Sequence, residues 1–304
     1  MNAGDVVIAT KGLSKRYKRT DSFALKDLDL QIKAGEVYGF LGPNGAGKST
    51  TIRTLMNFIQ PTRGSATIMG LDIVRDSVRI KRSIGYLSSD MAMYDKMTGH
   101  QFLDYMAELQ PGADRTYRRE LVKRFTPDLD KKLGSLSRGN KQKVGIVQAF
   151  MHQPQVLIMD EPSSGLDPLM QEAFYDLIKE SRQRGAAVFM SSHILSEVQR
   201  VCDRVGIIRE GRLVVERDIA QMTKEAAHTL DVTFAGKTPV SALKAVTGVR
   251  LSHHDEHTAR VHVHGELAPL LAELSKHDVV TLDARQLDLE EMFMRFYNGN
   301  EGED

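Results

Sequence analysis

Nine residues, Gly42-Pro43-Asn44-Gly45-Ala46-Gly47-Lys48-Ser49-Thr50, constrain the fold of this chain more than any other stretch, because of what flanks them. Val37 to Leu41 is an apolar run of buried-strand length, and Thr51 to Ile59 spaces its apolar residues as a helix does. A glycine-rich turn between a strand and a helix fits the pattern G-x4-G-K-[ST] in the context that gives the pattern its meaning. Glycines let backbone N–H groups close around phosphate oxygens, and the helix N-terminus adds a favourable dipole. Lys48 can then reach terminal phosphates, while the Ser49 hydroxyl suits Mg²⁺. The rest of the chain agrees with the largely parallel α/β sheet this unit needs. Apolar runs at Ala66 to Met69, Ile84 to Leu87, Val156 to Asp160, Ala186 to Ser191 and Val205 to Arg209 alternate with helical patterns such as Met170 to Arg184, which Gly185 is placed to end.

A chain of 304 residues suggests about two domains, and 41% hydrophobic residues suffice for a sizeable core. Within the first half, Met91 to Phe125 reads as a helical insertion, with a capping box at Thr98 and Gln101. The helical subdomain is expected over about 91–150. After about Ala220 the order becomes strand (Leu230 to Phe234), helix (Val240 to Ala245), strand (Val249 to His253), strand (Arg260 to His264), helix (Ala268 to Lys276), strand (Val279 to Ala284) and a closing helix (Leu289 to Tyr297). That βαββαβ order is compatible with a small ferredoxin-like unit. The expected division is therefore 1–220 and 221–304. Charge divides at the same place: the overall balance is +1, but the first part carries +7 and the second −6. A single cysteine, Cys202, closes no intramolecular disulfide, and Met1 to Thr10 lacks a basic stretch followed by an apolar one. Both features point to a cytosolic chain, and no apolar stretch approaches the roughly 18 residues that cross a bilayer.

The second chemical element is Val156-Leu157-Ile158-Met159-Asp160-Glu161. An apolar strand ending in two acids delivers carboxylates at its C-terminal end, where α/β sheets bind ligands. Asp160 suits Mg²⁺, and Glu161 suits a general base that polarises water. The phosphate loop, Leu136-Ser137-Arg138-Gly139-Asn140, Asp160-Glu161, Ser164-Gly165-Leu166-Asp167 and His193, in that order and spacing, resemble the nucleotide-binding subunit of an ABC transporter over roughly Val6 to Ala220. Leu289-Glu290-Glu291-Met292-Phe293 near the end is similar to the tail of subunits that serve separately encoded permeases of the ABC-2 export type.

The resemblance implies ATP and Mg²⁺ as bound species, Gly42 to Thr50 around the phosphates, and Tyr17 stacked on adenine, although a tyrosine beside an N-terminal strand also has a plain packing role. It implies that Ser137, Arg138, Gly139 and Asn140 cap the γ-phosphate held by a second subunit, from a helix beginning near Lys141. Asp167 would lie on the loop that crosses the dimer interface, and His193 would sense the γ-phosphate. The implied assembly is a homodimer or a paired ATPase subunit on the cytoplasmic face of an integral membrane permease. Three positions, in two motifs, depart from the family pattern. Arg138 and Asn140 stand where a glycine and a glutamine are usual, and Ser89 stands nearest the place of a glutamine that contacts Mg²⁺, water and the coupling interface. Ser89 is too short for that contact except through a bridging water.

Other readings are an ABC-type ATPase acting on DNA or ribosomes and a weakly hydrolytic nucleotide-sensing module. One phosphate loop and no sustained heptads speak against the first. The basic segment Arg115 to Arg124 mixes in Glu120 and has no interleaved aromatics, so it reads as a solvated helix face and no nucleic-acid partner is expected. Of the histidines after Ala220, including His253, His254, His257, His262 and His264, His262 and His264 share a strand face beside Asp255 and Glu256, which a metal site could use, but without cysteine partners the group reads first as a solvated sheet face or a pH-sensitive patch.

Overall fold

The computed structural model describes residues 4–18, 22–89, 93–110, 112, 114–225, 228–263 and 265–285. The chain divides into two compact units, Met1–Glu216 and Arg217–Asp304. In chain order the first runs β1 (Val6–Arg16), β2 (Phe23–Lys33), β3 (Val37–Leu41), α1 (Lys48–Leu55), β4 (Arg63–Ile68), β5 (Leu71–Asp72), α2 (Ser77–Ser83), β6 (Ile84–Leu87), α3 (Gly99–Leu109), α4 (Arg115–Phe125), α5 (Arg138–Phe150), β7 (Val156–Asp160), α6 (Pro168–Gln183), β8 (Ala187–Ser192), α7 (Leu195–Val201), β9 (Arg204–Arg209) and β10 (Arg212–Asp218).

Two sheets form, and their sequences differ for a physical reason. The six-stranded sheet has the order β10-β9-β3-β8-β7-β6, with β9, β3, β8, β7 and β6 mutually parallel. Every residue of β3, β7 and β8 is buried, which is why these strands read as unbroken apolar runs. The other sheet, β2-β1-β4-β5, is antiparallel and half-buried. In β2, Leu28, Leu30 and Ile32 are buried while Asp27, Asp29, Gln31 and Lys33 are exposed, the period of two that a one-sided sheet imposes. Of the run Ala66 to Met69, expected within a largely parallel sheet, Ala66 to Ile68 belongs to β4 of this antiparallel sheet and Met69 to the turn after it.

Register in the parallel sheet sets the height of three strand ends. Leu41 of β3 is level with Ser192 of β8, and Ser191 of β8 is level with Asp160 of β7. The segments that follow therefore emerge side by side: Gly42 onward, His193 and Glu161. Tyr38 and Phe40 pack on Phe189 beneath them, with ring centroids 6.0 and 5.4 Å apart. The helical insertion consists of α3, α4 and α5. Thr98 opens α3 with both halves of the expected capping box, its N–H reaching Gln101 Oε1 at 2.9 Å and its Oγ1 accepting from Gln101 N–H at 3.3 Å.

The second unit contains α8 (Ile219–Glu225), β11 (His228–Phe234), α9 (Val240–Ala245), β12 (Val249–His254), β13 (Thr258–Val263), α10 (Ala268–Leu274) and β14 (Val279–Arg285). Its sheet order is β12-β13-β11-β14, every neighbouring pair antiparallel. Leu230, Val232, Phe234, Ala259, Val261 and Val263 face Leu243, Leu270 and Leu274 in a core of its own. On the other face His262 lies between Thr229 Oγ1 at 2.9 Å and Ser252 Oγ at 2.7 Å. Among the described residues no three His, Cys, Asp or Glu side chains are grouped as a metal would need. His264 and the helix expected at Leu289 to Tyr297 lie outside the described residues.

Candidate active site

The phosphate loop leaves β3 and closes on α1, and it has little steric latitude. Gly47 caps α1 at φ 112°, a conformation open to glycine, and a Cβ there would lie 2.6 Å from the Ala24 carbonyl oxygen. A Cβ on Gly42 would lie 2.4 Å from the Ile208 carbonyl oxygen. The loop thus lies flat against β9 and β2 with its backbone free to face a ligand. Pro43, Asn44, Gly45, Gly47, Lys48, Ser49 and Thr50 line a cavity of about 150 Å³ together with Ala24 and Glu161, while Ala46 is buried below it.

Lys48 is 5% exposed, and its Nζ donates to the carbonyl oxygens of Gly42 at 2.7 Å and Pro43 at 3.1 Å. Glu161 Oε1 stands 3.7 Å from the same ammonium. Burial pushes the Lys48 pKa below its ordinary value, and the negative charges of Glu161 and Asp160 oppose that shift. Asp160 is 2% exposed at the end of β7 and accepts on both oxygens: Ser191 donates to Oδ1 at 2.6 Å and Ser89 to Oδ2 at 3.1 Å. Ser89 thus touches the strand-end carboxylate directly.

Glu161 follows at φ 48°, a left-handed conformation that a non-glycine residue adopts at a cost. Its N–H donates to the Ser191 carbonyl at 3.2 Å and to Ser191 Oγ at 3.1 Å, which holds the turn. The carboxylate is thereby aimed at the loop, where His193 Nδ1 meets Oε1 at 3.2 Å. His193 is half-exposed on the far side. Lys48, Asp160, Glu161 and His193 therefore converge at three adjacent strand ends.

Tyr17, just past β1, lies at the rim: its hydroxyl is 3.4 Å from Thr50 Oγ1 and its ring is exposed. Ser137 caps α5, accepting from Asn140 N–H at 3.3 Å, so the helix starts at Arg138 and not near Lys141. The sequence reading took Arg138-Gly139-Asn140 as loop, but a serine N-cap supplies the bond that lets those residues enter the helix. A Cβ on Gly139 would lie 2.7 Å from the Gly165 carbonyl oxygen, and Arg138 donates to Ser164 Oγ at 2.9 Å. Asp167 caps α6 through Met170 N–H at 3.0 Å. Ser137 to Asn140 and Asp167 thus flank one another. Among the described residues, no hydrogen bond or ion pair joins either to Lys48, Asp160 or Glu161.

Sequence reasoning missed Ser191 and Glu197. Two serines preceding His193 at the end of an apolar strand were the available signal for Ser191. For Glu197, an acid in the short helix α7, burial alone marks it, and sequence spacing does not show that.

A sequence profile for ABC transporters matches residues 25–164. The bacitracin transport ATP-binding protein BcrA of Bacillus licheniformis is 32% identical over 311 residues, covering 96% of this chain and 98% of that protein. The linearmycin resistance ATP-binding protein LnrL of Bacillus subtilis (strain 168) is 29% identical over 320 residues, covering 95% and 97%. A solved ATP-binding subunit of an ABC transporter is 30% identical and superposes with a TM-score of 0.66, covering 72% of this chain and 92% of that one.

Proposed function

We propose, because this chain belongs to the ABC transporter ATP-binding proteins and is an ATPase of that family, that it powers export through a separately encoded membrane permease of the ABC-2 type, working as a homodimer or with a similar subunit. The observation that carries this reading is the convergence of Lys48 and His193 on one oxygen of Glu161, at 3.7 and 3.2 Å, at the mouth of the phosphate loop. Relatives that align over nearly the whole chain are named for bacitracin transport and linearmycin resistance, which supports the export direction. No helix among the described residues is long and apolar enough to cross a membrane; in this reading the permease holds the subunit at the cytoplasmic face of the membrane. The βαββαβ order of the second unit, with its four antiparallel strands, supports a ferredoxin-like accessory domain.

The residues fit the nucleotide. The loop has no room for side chains at Gly42 and Gly47, so its N–H groups form the cradle, and the buried Lys48 ammonium is held by two carbonyls that phosphate oxygens can replace. Ser49 and Asp160 offer oxygen donors, the chemistry Mg²⁺ prefers, and would hold it. When bound, Mg²⁺ neutralises charge on the transferred phosphoryl group. Lys48 supplies fixed positive charge to the same end. Glu161 takes the proton of the attacking water, with its carboxylate oriented by the αL turn and by His193. Tyr17 stacks on adenine. Ser137, Arg138, Gly139 and Asn140, with the dipole of α5 behind them, cap the γ-phosphate of the opposite subunit, and Asp167 meets that subunit across the interface. Ser89, bonded to Asp160, links the site to the permease.

Glu161→Gln tests the assignment. The amide keeps the shape and removes the base, so ATP binding measured by equilibrium titration stays near the parent value while phosphate release falls about 10²- to 10⁴-fold. Undiminished turnover would defeat the general-base role.

A further inference from the structure

Glu197, in the first turn of α7, is 7% exposed and lies outside the phosphate cavity. Its carboxylate meets no cation within 4.0 Å among the described residues. Both oxygens instead accept from serine hydroxyls: Oε1 from Ser163 at 2.5 Å and Oε2 from Ser192 at 2.7 Å. A buried carboxylate satisfied only by hydroxyls is costly to keep, so the contact asks for a reason beyond stability. The positions of its partners supply one. Ser163 lies two residues after Glu161, in the turn stitched by Ser164 N–H to the Glu161 carbonyl at 3.1 Å and Leu166 N–H to the Ser163 carbonyl at 3.1 Å. Ser192 immediately precedes His193, and its Oγ also accepts from Ile194 N–H at 2.9 Å. On its other flank the same turn is tied to α5, through Gln142 Nε2 to the Pro162 carbonyl at 2.5 Å.

We propose that Glu197 is a positioning residue for hydrolysis: it locks the turn behind Glu161 to the strand end behind His193, so that the two reacting side chains and the segment leading to Asp167 move as one piece. The inference rests on the roles given above to Glu161 and His193. It distinguishes two sources of order at this site. Ser191 fixes Glu161 from within the sheet, whereas Glu197 reaches across from a helix and bridges segments 29 residues apart, Ser163 and Ser192. A misplacement of an ångström or less at such a pair costs rate without costing binding.

Full-length Glu197→Gln, Ser192→Ala and the double variant are compared for steady-state ATPase activity, affinity for a fluorescent ATP analogue and melting temperature. Glu197→Gln is expected to lower kcat about 10- to 100-fold while KM and analogue affinity stay within about twofold, because outlying contacts orient groups that other residues supply. The double variant is expected to lose no more than the worse single one, since both cut the same link. Should Glu197→Gln not fold, Ser163→Ala and Ser192→Ala, separately and together, read the same link from its donor side. Unchanged kcat, losses that multiply, or an equal rise in KM would each overturn the proposal. Glu161→Gln measured in parallel separates the two ideas: full turnover there removes the reading beneath this inference, and lost turnover there with an unaffected Glu197→Gln removes this inference alone.

Discussion

Single residues in this chain are held by backbone geometry as much as by chemistry. Gly47 is the clearest case, because its φ of 112° and the nearby Ala24 carbonyl oppose any side chain. Gly47→Ala is expected to cost about 1–3 kcal/mol in strain alone and to spoil the cradle, so the melting temperature falls and ATP binding is lost. A thermal melt and a nucleotide titration check this, and parent-like values in both would show that the loop can open. His152 makes a prediction of the opposite kind, about charge. Burial pushes its pKa below the usual histidine value, and its Nε2 lies 3.3 Å from the Ile84 carbonyl. Because the unfolded chain then takes up the proton more readily than the folded one, nothing is lost at high pH, and stability falls as pH drops below about 6.5. In His152→Gln the melting temperature is expected to decline less steeply between about pH 7.5 and about pH 5.5 than in the parent. Parallel curves would remove His152 from the acid response.

At the scale of elements, the strands buried on both faces were legible because burial on two sides demands continuous apolar runs, as in Val37–Leu41 and Val156–Asp160. The antiparallel sheet was missed: Phe23–Lys33 does alternate with a period of two, but its charged positions dilute the apolar signal, and its neighbour Val6–Arg16 also pairs with Arg63–Ile68 across a long stretch of chain. Site chemistry was legible one motif at a time. Its assembly was not, because the proximity of Lys48, Glu161 and His193 depends on register among β3, β8 and β7, and register is a property of the sheet. Seven-residue α7, which carries Glu197, is too short to show a periodicity. Helix α5 tests the reading of caps. Ser137→Ala is expected to cost about 1 kcal/mol through loss of the bond to Asn140 N–H. Ser137→Asp keeps a capping oxygen but sets a negative charge where the partner's γ-phosphate is proposed to sit. It should therefore melt like the parent and hydrolyse ATP slowly, and full activity in it would move the capping role elsewhere.

For the molecule as a whole, one chain holds two sets of functional side chains that, among the described residues, share no hydrogen bond or ion pair. The phosphate loop gathers Lys48, Asp160, Glu161 and His193, while Ser137 to Asn140 and Asp167 gather around the Ser164-Gly165 turn. Each set is half of the site proposed here, so two chains related by a two-fold axis would complete two sites by the same contact, a closed and self-complementary arrangement. ATP would then act as part of the interface, since it binds the paired state through both halves and the single chain through one, and pairing follows by linkage. Hydrolysis would dissolve that contact, so the pair would accumulate only where the base is missing. Glu161→Gln with ATP is therefore expected to elute at twice the monomer mass in light-scattering chromatography, and to return to monomer when Lys48→Ala is added to remove phosphate binding. If Glu161→Gln binds ATP and stays monomeric at concentrations well above its nucleotide affinity, the two halves are not completed by a second copy, and a different ATPase subunit becomes the required partner.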